Sequence, residues 1–594
     1  MIILYKSKMI AIILVIIFII CSALAEDETN SMKASPEGSL SDISLSKLSK
    51  SETYMIVTAD KRASIAAKNI LDKGGSAIDA AIAAQMVLNV VEPQSSGIGG
   101  GGFLIYFDAN KKETLAFDGR ERAPIKYNSK VFLNKDGNKK GFIEAISGGL
   151  AVGAPSLLSM LEIAHKNYGL LDWKNLFNEA IYYAANGFVV GERLSKLSKK
   201  APHLKNHTET NKYFNIDNGG LQSGQKLVNY DLANTFEIIG DKGSSGLLNG
   251  EIADSILLKT KQSKNPGLLI FEDFSLVKPR IVLPLCENYR GWKICGIRPP
   301  SSGAITILQI LGILNNFDFT FDENREVKIW HLFLEASKLA YADRDYYIAD
   351  EDFQTVPISE MLDRNYLTSR ANLINDSIIN SIVKPGKFKR KAVNNLGKDI
   401  TSEFSSTTHI SIIDQFGNAA SLTSSIEFMF GSGLMASGFL LNNQMTDFSF
   451  YPLDKKGNPI ANRPESRKKP RSSMSPTVVF DSAGDLRLVI GSPGGSRIIC
   501  YVAASLVRFI DFNMPIQDIV HSPNICNRGS YSAIEIGEKG DEIASKMEKF
   551  GYKIERKAMS SGIHIAYRDE KGILWELPIQ GEKELQLENN MPTF

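Results

Sequence analysis

The chain has 594 residues, of which 43% are hydrophobic and 23% charged, and its formal net charge is +2. That balance excludes a wholly disordered chain, a collagen and a polytopic membrane protein, and at ~150 residues per domain the length allows about four domains or one large layered body. A near-neutral chain gives no electrostatic case for nucleic acid or an acidic membrane as a partner.

The N-terminus carries an export pattern. Lys6 and Lys8 precede an unbroken apolar run from Met9 to Ile20, and Ala23-Leu24-Ala25 offers a small-residue cleavage site before Glu26-Asp27-Glu28. The run is short for a membrane span. We therefore expect a signal peptide over residues 1–25, and a periplasmic or secreted protein without a membrane anchor once it is removed. Residues 26–53 are expected to be a flexible leader, with eight serines between positions 31 and 51 and no apolar run. Compact structure is expected from Tyr54. Periodicity predicts a helix over 62–73, ended by Gly74-Gly75. Ser76-Ala77-Ile78-Asp79 resembles a capping box opening a second helix to about Asn89. A strand is predicted over 104–108, and a long amphipathic helix over about 324–349 with Ile329, Leu332, Phe333, Ala336, Leu339 and Ala340 on one face.

Lys384 to Lys391 holds five basic residues in eight and reads as a surface linker that stays polar to Ser406. Beyond it, Thr408–Ile413 alternates as a strand, Gln415-Phe416-Gly417-Asn418 turns, and 419–426 returns. Residue 407 therefore sits where a linker enters a sheet.

Five cysteines are sparse for this length. Cys21 leaves with the signal. Cys286 and Cys295 flank a hairpin around Arg290-Gly291, where they face each other and can either be bridged or stay free. Cys500 and Cys526 lie in apolar contexts and are expected to be buried thiols.

Several motifs bear on chemistry. Gly97 to Gly102 contains a literal GxGxxG, but a dinucleotide site needs a strand before it and a helix after. Here the strand follows, so these glycines point instead to close backbone packing. His203 and His207 are spaced i, i+4 with no third ligand, and no metal or other cofactor is expected. His409 reads as a structural strand histidine, and no GxSxG elbow is present. Gly491-Ser492-Pro493-Gly494-Gly495-Ser496 lies between a strand and a helix, a geometry that can present backbone N–H groups to an anion. Arg471-Ser472-Ser473-Met474-Ser475-Pro476 is a polar cluster ahead of another strand.

Several stretches together resemble the γ-glutamyltranspeptidase (glutathione hydrolase) family. They are residues 89–103, Asp118-Gly119-Arg120-Glu121, Pro299-Pro300-Ser301-Ser302-Gly303, residues 335–344, Thr407-Thr408-His409, Leu440 to Met445, Ser472 to Pro476 and Gly491 to Arg497. The resemblance implies an α+β fold, the four-layer αββα sandwich of N-terminal-nucleophile hydrolases, built jointly by two subunits cut from one precursor. The cut would fall between Ser406 and Thr407, giving a large subunit of 54–406 and a small one of 407–594 that form a heterodimer. It further implies Thr407 as nucleophile with its own α-amino group as base, Ser425 bonded to it in place of the usual threonine, and Gly494 and Gly495 as oxyanion donors. Arg120, Ser472 and Ser473 would hold the α-carboxylate of the substrate, and Asp447, Gln444 and Glu427 its α-ammonium. Tyr451 is a candidate lid aromatic within 450–470. The implied substrates are glutathione and other γ-glutamyl compounds, with water, an amino acid or a dipeptide as acceptor. A glutaryl (cephalosporin) acylase, a poly-γ-glutamate depolymerase or transferase, and a self-cleaving binding protein with a decayed site are the alternatives.

Overall fold

The computed structural model describes residues 49–319, 325–375, 378–380, 383–389, 395–401, 406–529, 531–559 and 562–576. The expected signal peptide and most of the expected leader lie outside these residues.

Two sheets stack face to face. One has six strands in the order Met55–Val57, Thr408–Ile413, Ala419–Ser425, Gly101–Asp108, Glu113–Gly119, Arg280–Val282, all antiparallel. The other has seven: Ser49–Ser51, Leu574–Glu576, His564–Arg568, Leu486–Gly491, Thr477–Phe480, Trp292–Gly296 and Leu285–Tyr289. Alternation along the strands builds the layers. Leu104, Tyr106, Ile410, Ile412, Ala420 and Leu422 pack against helices Lys61–Asp72, Ala77–Val91 and Leu157–Tyr168. Phe103, Ile105, Phe107 and Ile413 point the other way, into a core shared with Val479, Leu488 and Ile490. Helices Gly303–Leu314, Arg325–Tyr347 and Ile498–Ile510 cover the far side of the seven-stranded sheet. The result is the expected αββα sandwich, with the residues on either side of position 406 sharing both sheets.

The local predictions largely hold. Ser76 caps Ala77–Val91 in a reciprocal box with Asp79. Arg325–Tyr347 buries all six residues predicted for its apolar face. Three expectations are corrected. Ser49–Ser51, assigned to the leader, pairs with Leu574–Glu576 as an edge strand. Cys500 and Cys526 are buried as expected but are joined to each other, as are Cys286 and Cys295. A helix residue and a strand residue 26 positions apart meet only through tertiary packing, which local context does not reveal. The stretch from Lys384 is more than a surface linker: its lysines at 384, 387 and 389 are exposed, but Phe388 is buried against Tyr347 and Tyr366, and Tyr347 donates to the Gly386 carbonyl at 2.6 Å. Residues 390–394 and 402–405 of that stretch lie outside the described ones.

Candidate active site

The site forms where strand Thr408–Ile413 begins, at one end of the inter-sheet layer. There the layer turns polar. His409 Nδ1 lies 2.7 Å from Thr423 Oγ1 and its Nε2 3.0 Å from Ser411 Oγ, and the ring stacks on His564 at a centroid distance of 6.0 Å. Burial holds His409 well below the usual imidazole range and His564 down to about 3, so both are neutral structural groups. This agrees with reading His409 as structural.

One cleft is lined by Arg120, Thr407, Ser425, Glu427, Gln444, Asp447, Ser472, Ser473, Met474, Gly495 and Ile498. Nearly all the side chains singled out in the sequence thus converge from distant segments. Gly494 lies one residue outside this lining, at φ 134°, where a Cβ would stand 2.6 Å from the Tyr501 ring. Tyr451 does not line the cleft; its hydroxyl accepts from the Lys139 N–H at 3.4 Å. The adjacent Phe450 stacks on Phe132 at 4.7 Å.

Ser425 is the hub of the reactive end. It closes strand Ala419–Ser425, directly beside the start of strand Thr408–Ile413. Its hydroxyl donates to the Ser406 carbonyl at 2.6 Å, accepts from Glu427 N–H at 2.9 Å, and accepts from Thr407 Oγ1 at 3.3 Å. The Ser406 hydroxyl donates to the Gln94 carbonyl at 2.5 Å. The backbone of 99–100 presses into this corner, because a Cβ at Gly100 would stand 2.1 Å from the Ser425 carbonyl oxygen and one at Gly99 2.0 Å from that of Leu440. Only glycine allows that approach, as the sequence reading of these residues anticipated.

The other end is a buried ion pair with its supporting hydrogen bonds. Arg120 is 2% exposed, donates through Nη2 to Asp447 Oδ2 at 2.6 Å and to the Arg471 carbonyl at 2.8 Å, and through Nε to the Pro470 carbonyl at 3.1 Å. Gln444 Nε2 donates to the same Asp447 oxygen at 2.7 Å. Among the described residues Arg120 Nη1 finds no hydrogen-bond partner, and it lies 3.7 Å from Glu121 Oε2. Glu427, buried at φ 79°, accepts from Asn443 Nδ2. A buried acidic residue held in the left-handed region stores backbone strain, as functional sites often do.

Sequence reasoning gave no role to several neighbours. Burial raises Glu121, behind Arg120, to about 7, against the opposing pull of the Arg120 charge. Arg344 donates to Ser473 Oγ at 2.7 Å and to Ser302 Oγ at 2.8 Å, and Ser302 Oγ donates to the Ser472 carbonyl, so the serine pair is held from behind. Lys469 pairs with Asp118, which accepts from Arg120 N–H. The available signal was a run of charged residues inside buried segments, visible in the quoted 118–121 and 335–344 stretches. Among the described residues no group of three or more His, Cys, Asp or Glu side chains is arranged to hold a metal ion, and no helix is long and apolar enough to cross a membrane.

A family model described as Gamma-glutamyltranspeptidase matches residues 63–585. The glutathione hydrolase proenzyme of Bacillus subtilis (strain 168) is 35% identical over 507 residues, covering 84% of this chain and 85% of that protein. Among solved structures, a cephalosporin acylase from Bacillus halodurans aligns with a TM-score of 0.79 at 24% identity over 91% of this chain and 96% of its own, a likeness of fold. Helicobacter pylori gamma-glutamyltranspeptidase aligns at 32% identity and a TM-score of 0.53, over 56% of this chain and 95% of its own. The layered architecture is that of the N-terminal-nucleophile hydrolases. By the sequence match across nearly the whole body, the chain belongs to the gamma-glutamyltranspeptidase family.

Proposed function

We propose that this protein is an exported, self-processed γ-glutamyltranspeptidase that hydrolyses glutathione and similar γ-glutamyl amides and can pass the γ-glutamyl group to an amino acid or short peptide. The observation that carries the reading is the convergence of Thr407, Ser425, Arg120, Asp447, the Ser472–Ser473 pair and Gly495 in one cleft.

In the uncut chain, Thr407 Oγ attacks the Ser406 carbonyl carbon. Ser425 donates to that carbonyl oxygen and so favours the charge that develops on it. The Ser406–Thr407 C–N bond breaks, the Thr407 nitrogen takes the proton, and the resulting ester is split by water. This leaves a Ser406 carboxylate and a free Thr407 α-amino group, whose reference pKa is about 7.7–8.0. Nucleophile and base then belong to one residue. The large subunit is 54–406 and the small subunit 407–594.

In turnover, the substrate's α-amino-acid head enters between Arg120 and Asp447, which otherwise neutralise each other. Its carboxylate takes the Arg120 guanidinium with Ser472 and Ser473, a planar bidentate arrangement that arginine suits. Its ammonium takes Asp447 and Glu427, with Gln444 steadying the former. The γ-carbonyl is thereby presented to Thr407 Oγ, with Gly494 and Gly495 backbone N–H groups facing its oxygen. The amine leaves, and water or an acceptor amine resolves the acyl-enzyme. Asp447 beside Arg120 favours a free α-amino acid over a glutaryl group, which has no ammonium to offer it. Two disulfides agree with passage through an oxidising compartment, as the predicted signal peptide requires.

The test is mass spectrometry and N-terminal sequencing of the mature protein, run beside a γ-glutamyl anilide assay. A new N-terminus at Thr407 with turnover supports the reading. An active enzyme that is still one chain across 406–407 overturns it.

A further inference from the structure

Resting on that reading, we propose that Asp399, seven residues before the proposed cut, is a positioning residue for the substrate-head site: the tail of the large subunit is a fixed brace of the pocket, and processing leaves it in place. The Asp399 carboxylate is 2% exposed. Its Oδ1 accepts from Thr401 N–H at 2.9 Å, and its Oδ2 accepts from Asn462 Nδ2 at 2.9 Å and meets Arg471 Nη2 at 3.0 Å. Both partners bond residues that line the pocket. Asn462 Nδ2 also donates to the Asp447 carbonyl at 2.7 Å, and its Oδ1 accepts from Arg471 N–H at 2.9 Å. The Arg471 carbonyl accepts from Arg120 Nη2, and the next residue is Ser472. One carboxylate from the large subunit thus fixes the two backbone segments that carry Asp447 and Ser472–Ser473, from the side away from the substrate.

The described part of the tail, residues 395–401, is held at more than one point. Gly397 N–H donates to the Pro459 carbonyl at 2.9 Å, in a short parallel bridge beside Ile460, and Asp399 N–H donates to the Asp345 carbonyl at 2.9 Å. Arg471 is 1% exposed, and of the two acids near its guanidinium, Asp399 and Asp345, Asp399 makes the 3.0 Å contact. Neutralising Asp399 weakens the hold on a buried cation that otherwise faces Asp345 and the Arg344 carbonyl, and so lets its segment shift. A site built to tight tolerance loses affinity when its supporting shell loosens.

The test is Asp399→Asn in the full-length protein, measured as KM and kcat with a γ-glutamyl anilide, as extent of self-cleavage on a denaturing gel, and as hydrogen exchange. We expect KM to rise about tenfold or more, as loss of a charged hydrogen bond implies, with kcat little changed and cleavage complete. Exchange should quicken in peptides covering 444–447 and 470–475 and stay unchanged in helix Ala77–Val91. A purely structural role would lower the melting temperature and leave KM where it was, which would overturn the proposal. Unchanged exchange at 470–475 would overturn it too. Should Asp399→Asn not fold, Arg471→Lys keeps the charge but loses the planar contact, and the same pattern is expected; its absence there is equally fatal. If the wild type turns over no γ-glutamyl substrate, the functional reading fails, and the exchange measurement still decides whether Asp399 braces the pocket.

Discussion

Around Thr407 the two faces of the six-stranded sheet are built on opposite principles. Toward the helices it presents Leu104, Tyr106, Ile410, Ile412 and Leu422, an apolar surface whose contribution is area removed from water. Toward the other sheet, near Thr407, it presents His409, Ser411, Ser421 and Thr423, where each polar group must find a partner. The first face tolerates approximate fits; the second does not, since one missing partner strands another. At this end of the strands the helix-facing side serves stability while the inter-sheet side must also hold the site, so substitutions on the two sides here should separate in what they change.

The largest effect is expected on the polar side. Thr407→Ala should leave a single uncut chain with no turnover, seen on a denaturing gel and in an anilide assay. Partial cleavage would mean that another group attacks the Ser406 carbonyl. Ser425→Ala removes the donor to that carbonyl and should slow self-cleavage about 10²–10³-fold, the usual cost of a lost oxyanion donor; a pulse-chase of precursor disappearance measures it. Asp447→Asn should lower kcat/KM about 10–100-fold, since a charged hydrogen bond is worth roughly 1.5–3 kcal/mol, while cleavage proceeds.

Leu104→Ala, on the apolar side, should cost about 2–5 kcal/mol of stability in denaturant unfolding with KM unaltered. A large KM change there would break the proposed division. The smallest effect is a pH slope. Burial depresses His409 and His564, so their contribution to stability is present above the unfolded value of 6.5 and is lost as pH falls below it. Glu121 has the opposite sign: its raised value, about 7, means that its contribution is present below 4.5 and is lost as pH rises through 7. Glu121→Gln should flatten the upper limb of a stability–pH curve and leave the acid limb.

The apolar side was the legible one. Period-two alternation over 408–413 and the Ser76 box were readable because each depends on neighbours a few positions away. The pocket was not readable that way: Arg120 and Asp447 pair across 327 positions, and without a family resemblance either could be an ordinary surface charge. The resemblance supplied the set that now lines the cleft but missed its supports. Asp399 lies in a stretch that looks like polar linker, and nothing local announces that it meets Arg471. Cys500 and Cys526 were misread for the same reason, and Tyr451 was placed by its position in a loop whose path the sequence does not fix.

Both disulfides close loops that lie wholly on one side of position 406: Cys286–Cys295 before it, Cys500–Cys526 after it. A cut there therefore yields two polypeptides with no covalent tether among the described residues, although strand Thr408–Ile413 stays clasped between Met55–Val57 and Ala419–Ser425. Before the cut, refolding is unimolecular; afterwards it needs an encounter of two chains and depends on their concentration. Maturation would thus make folding a one-time event, with the mature enzyme's lifetime set by how slowly its halves come apart.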